Sequence, residues 1–351
     1  MRANGLFPVV LWAILLIGTP FGPAGCRRGG ESSNASQDVV VYTSVDDVFA
    51  RPIADKFREK TGIHVRLVPD TEETKSAGLV NRLIAERNRP QADVFWSGDP
   101  VRVAILKSKG ISASYRSASS AGLPAQFSDP DGHWTGFSAR ARVLIYNRNL
   151  VQAGGEPKSI FDLLHDRFRG KACIANPMFG TTSMHAAALF AGLGDEKAKA
   201  FFEGFIANGG KIVSSNGEVR RRVANGEFAL GITDTDDANV ARLEGKPIGI
   251  VHPDADEMGT VVIPNCAVLI AKGPNPAAGK QFIDYLLAAE TERALAESEA
   301  AQMPLRSDVE VPADVMPMSR IKAMDVDYAK LGALLEKLNK GFLKDWVDRN
   351  R

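Results

Sequence analysis

Val39-Val40-Val41-Tyr42-Thr43 is an unbroken apolar run, the mark of a strand covered on both faces. The period then changes. From Asp47 to Thr61 the residues Phe49, Ile53 and Phe57 recur at helical spacing, and Gly62 stands where a helix end favours a left-handed residue. Ile63 to Val68 predicts a second strand. Glu73 to Arg89 predicts a helix with Leu79, Leu83 and Ile84 on one face, stopped by Pro90. Ala92-Asp93-Val94-Phe95-Trp96 predicts a third strand, and Pro100 to Lys109 a third helix closed by Gly110. This alternation predicts an α/β fold with a mostly parallel sheet.

Further along, Ser128 to Thr135 is rich in turn formers, and a second series follows it. Strands are expected at Arg142 to Tyr146, Ala172 to Ala175, Lys211 to Val213 and Ala229 to Thr233. Helices are expected at Ser159 to Leu164, Thr182 to Leu193, Asp195 to Asn208 and Glu218 to Asn225. Thr260 to Ile270 reads as an extended apolar return. Asn275 to Ala300 reads as one long helical region and Ala329 to Arg351 as a final amphipathic helix. With 351 residues the chain exceeds the size at which one core stops growing, so two lobes are expected.

The other end of the chain reads as an export signal. Arg2 precedes the apolar stretch Leu6 to Ile17, which suits a signal peptide and is short for a spanning helix. Ala24-Gly25-Cys26 resembles the end of a bacterial lipobox, with Pro23 where Leu is usual, and it implies lipidation of Cys26 and attachment to a membrane. Arg27 to Gln37 is polar and rich in Gly and Ser, as a tether is. A net charge of +1 argues against sequence-independent nucleic-acid binding. Cys173 and Cys266 sit in apolar runs and are read as buried thiols, and no Cys or His spacing fits a zinc site.

Several stretches in order resemble the type II periplasmic solute-binding proteins, and within them the iron(III)-binding branch that feeds ABC importers. They are Val39 to Ser44, Thr61-Gly62-Ile63, Leu79 to Glu86, Gln91 to Trp96, Trp134 to Phe137, Arg142 to Asn147, Arg169-Gly170-Lys171 and Asn225-Gly226-Glu227 before Leu230-Gly231-Ile232. The resemblance implies a two-lobed periplasmic-binding-protein fold, with crossings near Phe137 to Arg142 and Val262 to Cys266 and a hinge that closes on the ligand. It implies these bounds: signal peptide 1–25, tether 26–37, first part of lobe 1 38–137, lobe 2 138–262, and return to lobe 1 with C-terminal helices 263–351. A monomer partnering a permease is expected. No enzyme motif such as Gly-x-Ser-x-Gly is present, and no attached signalling domain is seen. A sensor acting through a separate membrane partner is the reading of another class.

Ligands in such sheets meet strand ends and helix starts, which selects the candidate residues. Ser44 and Asp46 follow the first strand, Thr71 the second, and Ser97 and Gly98 the third; each also suits a helix cap or turn. Gly180-Thr181-Thr182-Ser183 opens a helix and suits an oxyanion. Arg140 and Arg142 fall on one side of a strand, and Arg140 is taken as the contact for a carboxylate or phosphate. Asp234, Asp236 and Asp237 crowd three carboxylates into four residues, which calls for a positive partner.

The resemblance places Asp236 and Asp237 where the iron-binding relatives carry adjacent tyrosines, Asp46 near their histidine and Gly78 near their acidic ligand. Carboxylates are hard donors, so Asp46, Asp236 and Asp237 form a candidate set for Fe(III) carried as cargo with a synergistic anion at Thr181 and Thr182. A small zwitterion, with ammonium on the aspartates and a phosphonate, phosphate or carboxylate on the Thr and Arg side, fits the same residues.

Overall fold

The computed structural model describes residues 38–70 and 77–350. The signal peptide, the tether, Cys26 and Thr71 therefore lie outside the described residues. The opening run forms β1 (Val39–Thr43), α1 (Asp47–Thr61), β2 (Val65–Pro69), α2 (Ala77–Ala85), β3 (Val94–Ser97) and α3 (Pro100–Ser108). Both faces of β1 are covered, as its unbroken apolar run requires. Val39 and Val41 join a core with Ile53 and Phe57 of α1, while Tyr42 joins the core holding Leu79 and Leu83 of α2. Gly62 ends α1 at φ 74°, its N–H bonded to the Arg58 carbonyl. Asp99 caps α3 by accepting from the N–H groups of Val101 and Arg102, and Pro100 takes the first helical position, where no N–H is needed.

The chain continues through β4 (Ser112–Ala113), β5 (Thr135–Asn147), β6 (Ala172–Ala175), α4 (Gly180–Leu193), α5 (Asp195–Ala207), β7 (Lys211–Val213) and α6 (Asn216–Ala224). Then come β8 (Leu230–Asp234), α7 (Thr235–Leu243), β9 (Ile248–Val251), β10 (Val262–Ile270), α8 (Pro276–Leu286), α9 (Ala289–Glu297), α10 (Tyr328–Lys340) and α11 (Phe342–Asn350). The strand order is β2-β1-β3-β10-β5-β8-β6-β7, with β4 on β10 and β9 on β5. β1–β3 and β6–β8 pair in parallel, but β10 and β5 run antiparallel to their neighbours. The sheet is thus mixed, not mostly parallel, since apolar periodicity reports burial and not strand direction.

Three other expectations change. The long region after Asn275 breaks into α8 and α9, and the last helix breaks at Gly341 into α10 and α11. Ser159 to Leu164 is a short 3-10 turn over Ile160–Leu164, held by a reciprocal cap between Ser159 and Asp162. A helix for which the sequence predicted no element, α7, begins at Thr235 directly after β8. Cys173 in β6 and Cys266 in β10 are buried free thiols. No described helix is long and apolar enough to cross a membrane.

β5 joins the two halves of the sheet, pairing with β10 along its first part and with β8 and β9 along its second, with Arg140 opposite Ile263 and Ala141 opposite Val262. The register shifts between Pro264 and Asn265, and Ser138 adopts φ 34°. Fully buried Glu292 holds this place: it accepts the N–H of Ser138 at 2.6 Å, of Leu305 at 3.0 Å and of Arg306 at 2.9 Å.

Candidate functional site

Because β6, β7 and β8 are parallel, their C-terminal ends and the starts of α4, α6 and α7 gather at one edge. The ends of β1 and β3, with the starts of α1 and α3, gather likewise in the other half. Both edges line one cleft of about 580 Å³. Ser44, Asp46, Gly98, Arg140, Gly180, Thr181, Thr182, Asp234, Asp236 and Asp237 all face it. Ser97 does not. It is fully buried, and its hydroxyl accepts the Asp99 N–H at 3.1 Å within the turn that starts α3, so its role is local.

Arg142, which the sequence left beside Arg140 without a role, lies at the base of the α4–α7 edge with no exposed surface. The β5–β8 register sets it directly opposite Asp234, so both side chains leave the sheet on one face. Its Nη1 donates to Asp234 Oδ1 at 2.7 Å, to Thr181 Oγ1 at 3.0 Å and to Asn216 Oδ1 at 3.0 Å. Its Nη2 donates to Thr182 Oγ1 at 3.2 Å. The Thr181 hydroxyl donates to Asp234 Oδ2 at 2.6 Å and accepts from Asn216 Nδ2 at 2.8 Å. The Thr182 hydroxyl donates to Asn216 Oδ1 at 3.1 Å.

Arg140 bridges the two edges. Its Nη2 donates to the Gly98 carbonyl at 2.9 Å, and its Nε lies 3.5 Å from Asp234 Oδ2. Glycine at position 98 leaves room for it, since a Cβ would stand 3.0 Å from Arg140 Nη1. Burial opposes the Arg140 charge, but Asp236, Asp234, Asp99 and Asp46 outweigh it. Burial likewise pushes Asp234 upward, yet Arg142, Arg140 and the Thr181 hydroxyl hold it below the usual carboxylate range. Asp237 is pushed up to about 8 by burial, then by the charges of Asp236 and Asp234, which outweigh the Thr233 hydroxyl and Arg220. Burial and Arg142 push His185 of α4 down to about 3, so it is neutral at physiological pH.

Asp234, Asp236 and Asp237 bring carboxylate oxygens within 4.8 Å of one another, a grouping able to take a hard cation. Asp46 is not in that group; Asp234 stands in the place the sequence reading assigned to it, because α7 begins immediately after β8 and brings all three together. No described tyrosine lines the cleft. Tyr42 bonds Glu86, Tyr115 bonds Asp284, and Tyr328 bonds the Val262 carbonyl. Ser214, Ser215 and Asn216 also line the cleft, at the start of α6. The strand-end rule applied to Lys211–Val213 would have found them.

The cleft, its paired helix starts and the strand that joins both halves define a solute-binding protein of the two-lobed kind. The chain belongs to the bacterial extracellular solute-binding proteins, whose family model matches residues 52–317. It is 25% identical to iron uptake protein A1 of Synechocystis, over 88% of this chain and 87% of that protein. It is 29% identical to a periplasmic protein of Salmonella typhi named for 2-aminoethylphosphonate binding, over 74% of each. Its fold matches the crystal structure of iron-bound HitA from Pseudomonas aeruginosa with a TM-score of 0.78 and 23% identity, covering 88% of this chain and 99% of that one. The family and the two-lobed fold are those the sequence resemblance implied.

Proposed function

We propose that this protein is the solute-binding component of an ABC importer, working in the periplasm and capturing ferric iron as an anion complex in the cleft. The carrying observation is the two-signed character of the site. A carboxylate group at Asp234, Asp236 and Asp237 adjoins the Arg140 guanidinium and the start of α4, which has no side-chain cap. Bare cations meet Arg140 as repulsion, and bare anions meet Asp236 and Asp237 the same way. A ferric ion chelated by a carboxylate-bearing anion satisfies both, with hard oxygen donors on the metal. The names of the Synechocystis and Pseudomonas relatives support this reading.

A second reading has its own support. No described tyrosine lines the cleft, and the Salmonella relative is named for 2-aminoethylphosphonate. Such a zwitterion would set its ammonium on Asp236 and Asp237 and its phosphonate at Arg140 and α4. In both readings the protein binds its guest without transforming it. Lipidated Cys26 and the 26–37 tether would hold it at the membrane as a monomer, with lobe 1 formed by 38–137 and 263–351 and lobe 2 by 138–262.

Native mass spectrometry with elemental analysis of protein from its own host tests the assignment. One equivalent of iron supports the first reading, and a phosphorus-bearing organic mass the second. A guest of a single charge sign removes both.

A further inference from the structure

Three carboxylates within reach of one another look like one cation cage, and two threonines at a helix start look like anion contacts. The hydrogen bonds around Arg142 assign them otherwise. A hydroxyl has one proton and two lone pairs. The Thr181 proton goes to Asp234, and its lone pairs take Arg142 and Asn216. The Thr182 proton goes to Asn216, and its oxygen accepts from Arg142. Asp234 spends Oδ1 on Arg142 and Oδ2 on Thr181, with Asn216 Nδ2 a further 3.3 Å contact. The result is a closed ring whose charged members are almost wholly buried. Opening it would leave a buried charge unpaired, which is strongly unfavourable.

We infer that Arg142 is a positioning residue that turns Asp234, Thr181 and Thr182 toward itself, so that the guest meets Asp236, Asp237, Arg140 and backbone amides but not those three side chains. The inference rests on the two-signed cleft proposed above and deepens it. It lowers the cation-facing carboxyl groups from three to two, and it assigns the anionic end to main-chain N–H groups and Arg140. A lysine at position 142 would keep the charge, but a point ammonium has no planar fork to serve both threonines, Asn216 and Asp234 together.

The test is a double-mutant cycle. Calorimetric titration of the wild type, R142K, T181V and R142K/T181V is run with ferric citrate and with 2-aminoethylphosphonate. Each single change should weaken the probe that the wild type binds by about tenfold, and the double should be no weaker than the weaker single, because both changes break one ring. Losses that multiply, or single variants that bind as the wild type does, put the hydroxyl on the guest or out of play and overturn the inference. If R142K folds poorly, D234N with T181V runs the same cycle. The ligand-free amide spectrum separates this from failure of the solute reading. R142K and T181V should both shift the amides of residues 180–182 and 216–217. Unmoved amides there overturn the positioning role even if neither probe binds.

Discussion

On the β1–β3 edge of the cleft, polar side chains bond the backbone N–H groups of the strand-end turns. Ser44 Oγ accepts the Gly98 N–H at 3.0 Å, and Asp99 caps α3. Asp46 precedes α1 and stays exposed. On the β8 edge the polar groups are buried and charged, and they bond across elements far apart in the chain. A buried charge persists only where partners replace its water, so the β8 edge is held in one arrangement. The β1–β3 edge offers backbone and small side chains that any polar guest can approach. Closure would therefore bring a permissive wall onto a selective one, and the guest's chemistry is read mainly by the second.

The sharpest way to break that contrast is to remove the charge of the selective wall. Replacing Asp236 and Asp237 together by alanine should weaken binding about a thousandfold by calorimetry, since a desolvated cation loses both partners. Retained affinity would move the cation elsewhere. Arg140→Gln should cost about thirtyfold, shown mainly by anion-bearing probes. Ser44→Ala on the permissive wall should cost only about threefold, the worth of a neutral hydrogen bond. A loss as large as that of Arg140→Gln would erase the asymmetry. Gly98→Ala sharpens the comparison from the other side. Its Cβ would press on the guanidinium from 3.0 Å, so it should reproduce part of the Arg140→Gln loss without removing any polar group.

The last prediction concerns stability and pH. Asp237 has its folded value raised to about 8 from 3.8, so the native state keeps a proton that the unfolded chain loses. Stability from this group is greatest below about pH 4 and declines as pH rises to about 8, then levels. Asp237→Asn should flatten that decline, so its denaturation midpoint should gain on the wild type between pH 5 and pH 8.5. Parallel curves for the two proteins across that range would show that the carboxyl is not held protonated.

Much of this was legible in one dimension. The Val39–Thr43 run, the Gly62 stop and the Gly180 to Ser183 helix start carry local signals, and each appears where its period or turn chemistry put it. Asp236 and Asp237 stood out because adjacent acids are costly wherever they fold. Ser97 misled because a hydroxyl after a strand can bond its own turn as readily as a ligand. α7 was left unassigned because its acidic first turn, which favours a helix start, drew attention to the carboxylates as ligands. Thr71 falls outside the described residues.

What the amino-acid sequence settled alone is the set of elements and the strand ends where a ligand meets them, since these follow from side-chain period and from backbone amides a few residues apart. What only the tertiary structure decided is which of those groups remain available. Arg142 and Asp234 are 92 positions apart, and nothing local couples them. Only the antiparallel register of β5 on β8 sets them face to face, and burial then makes their pairing compulsory.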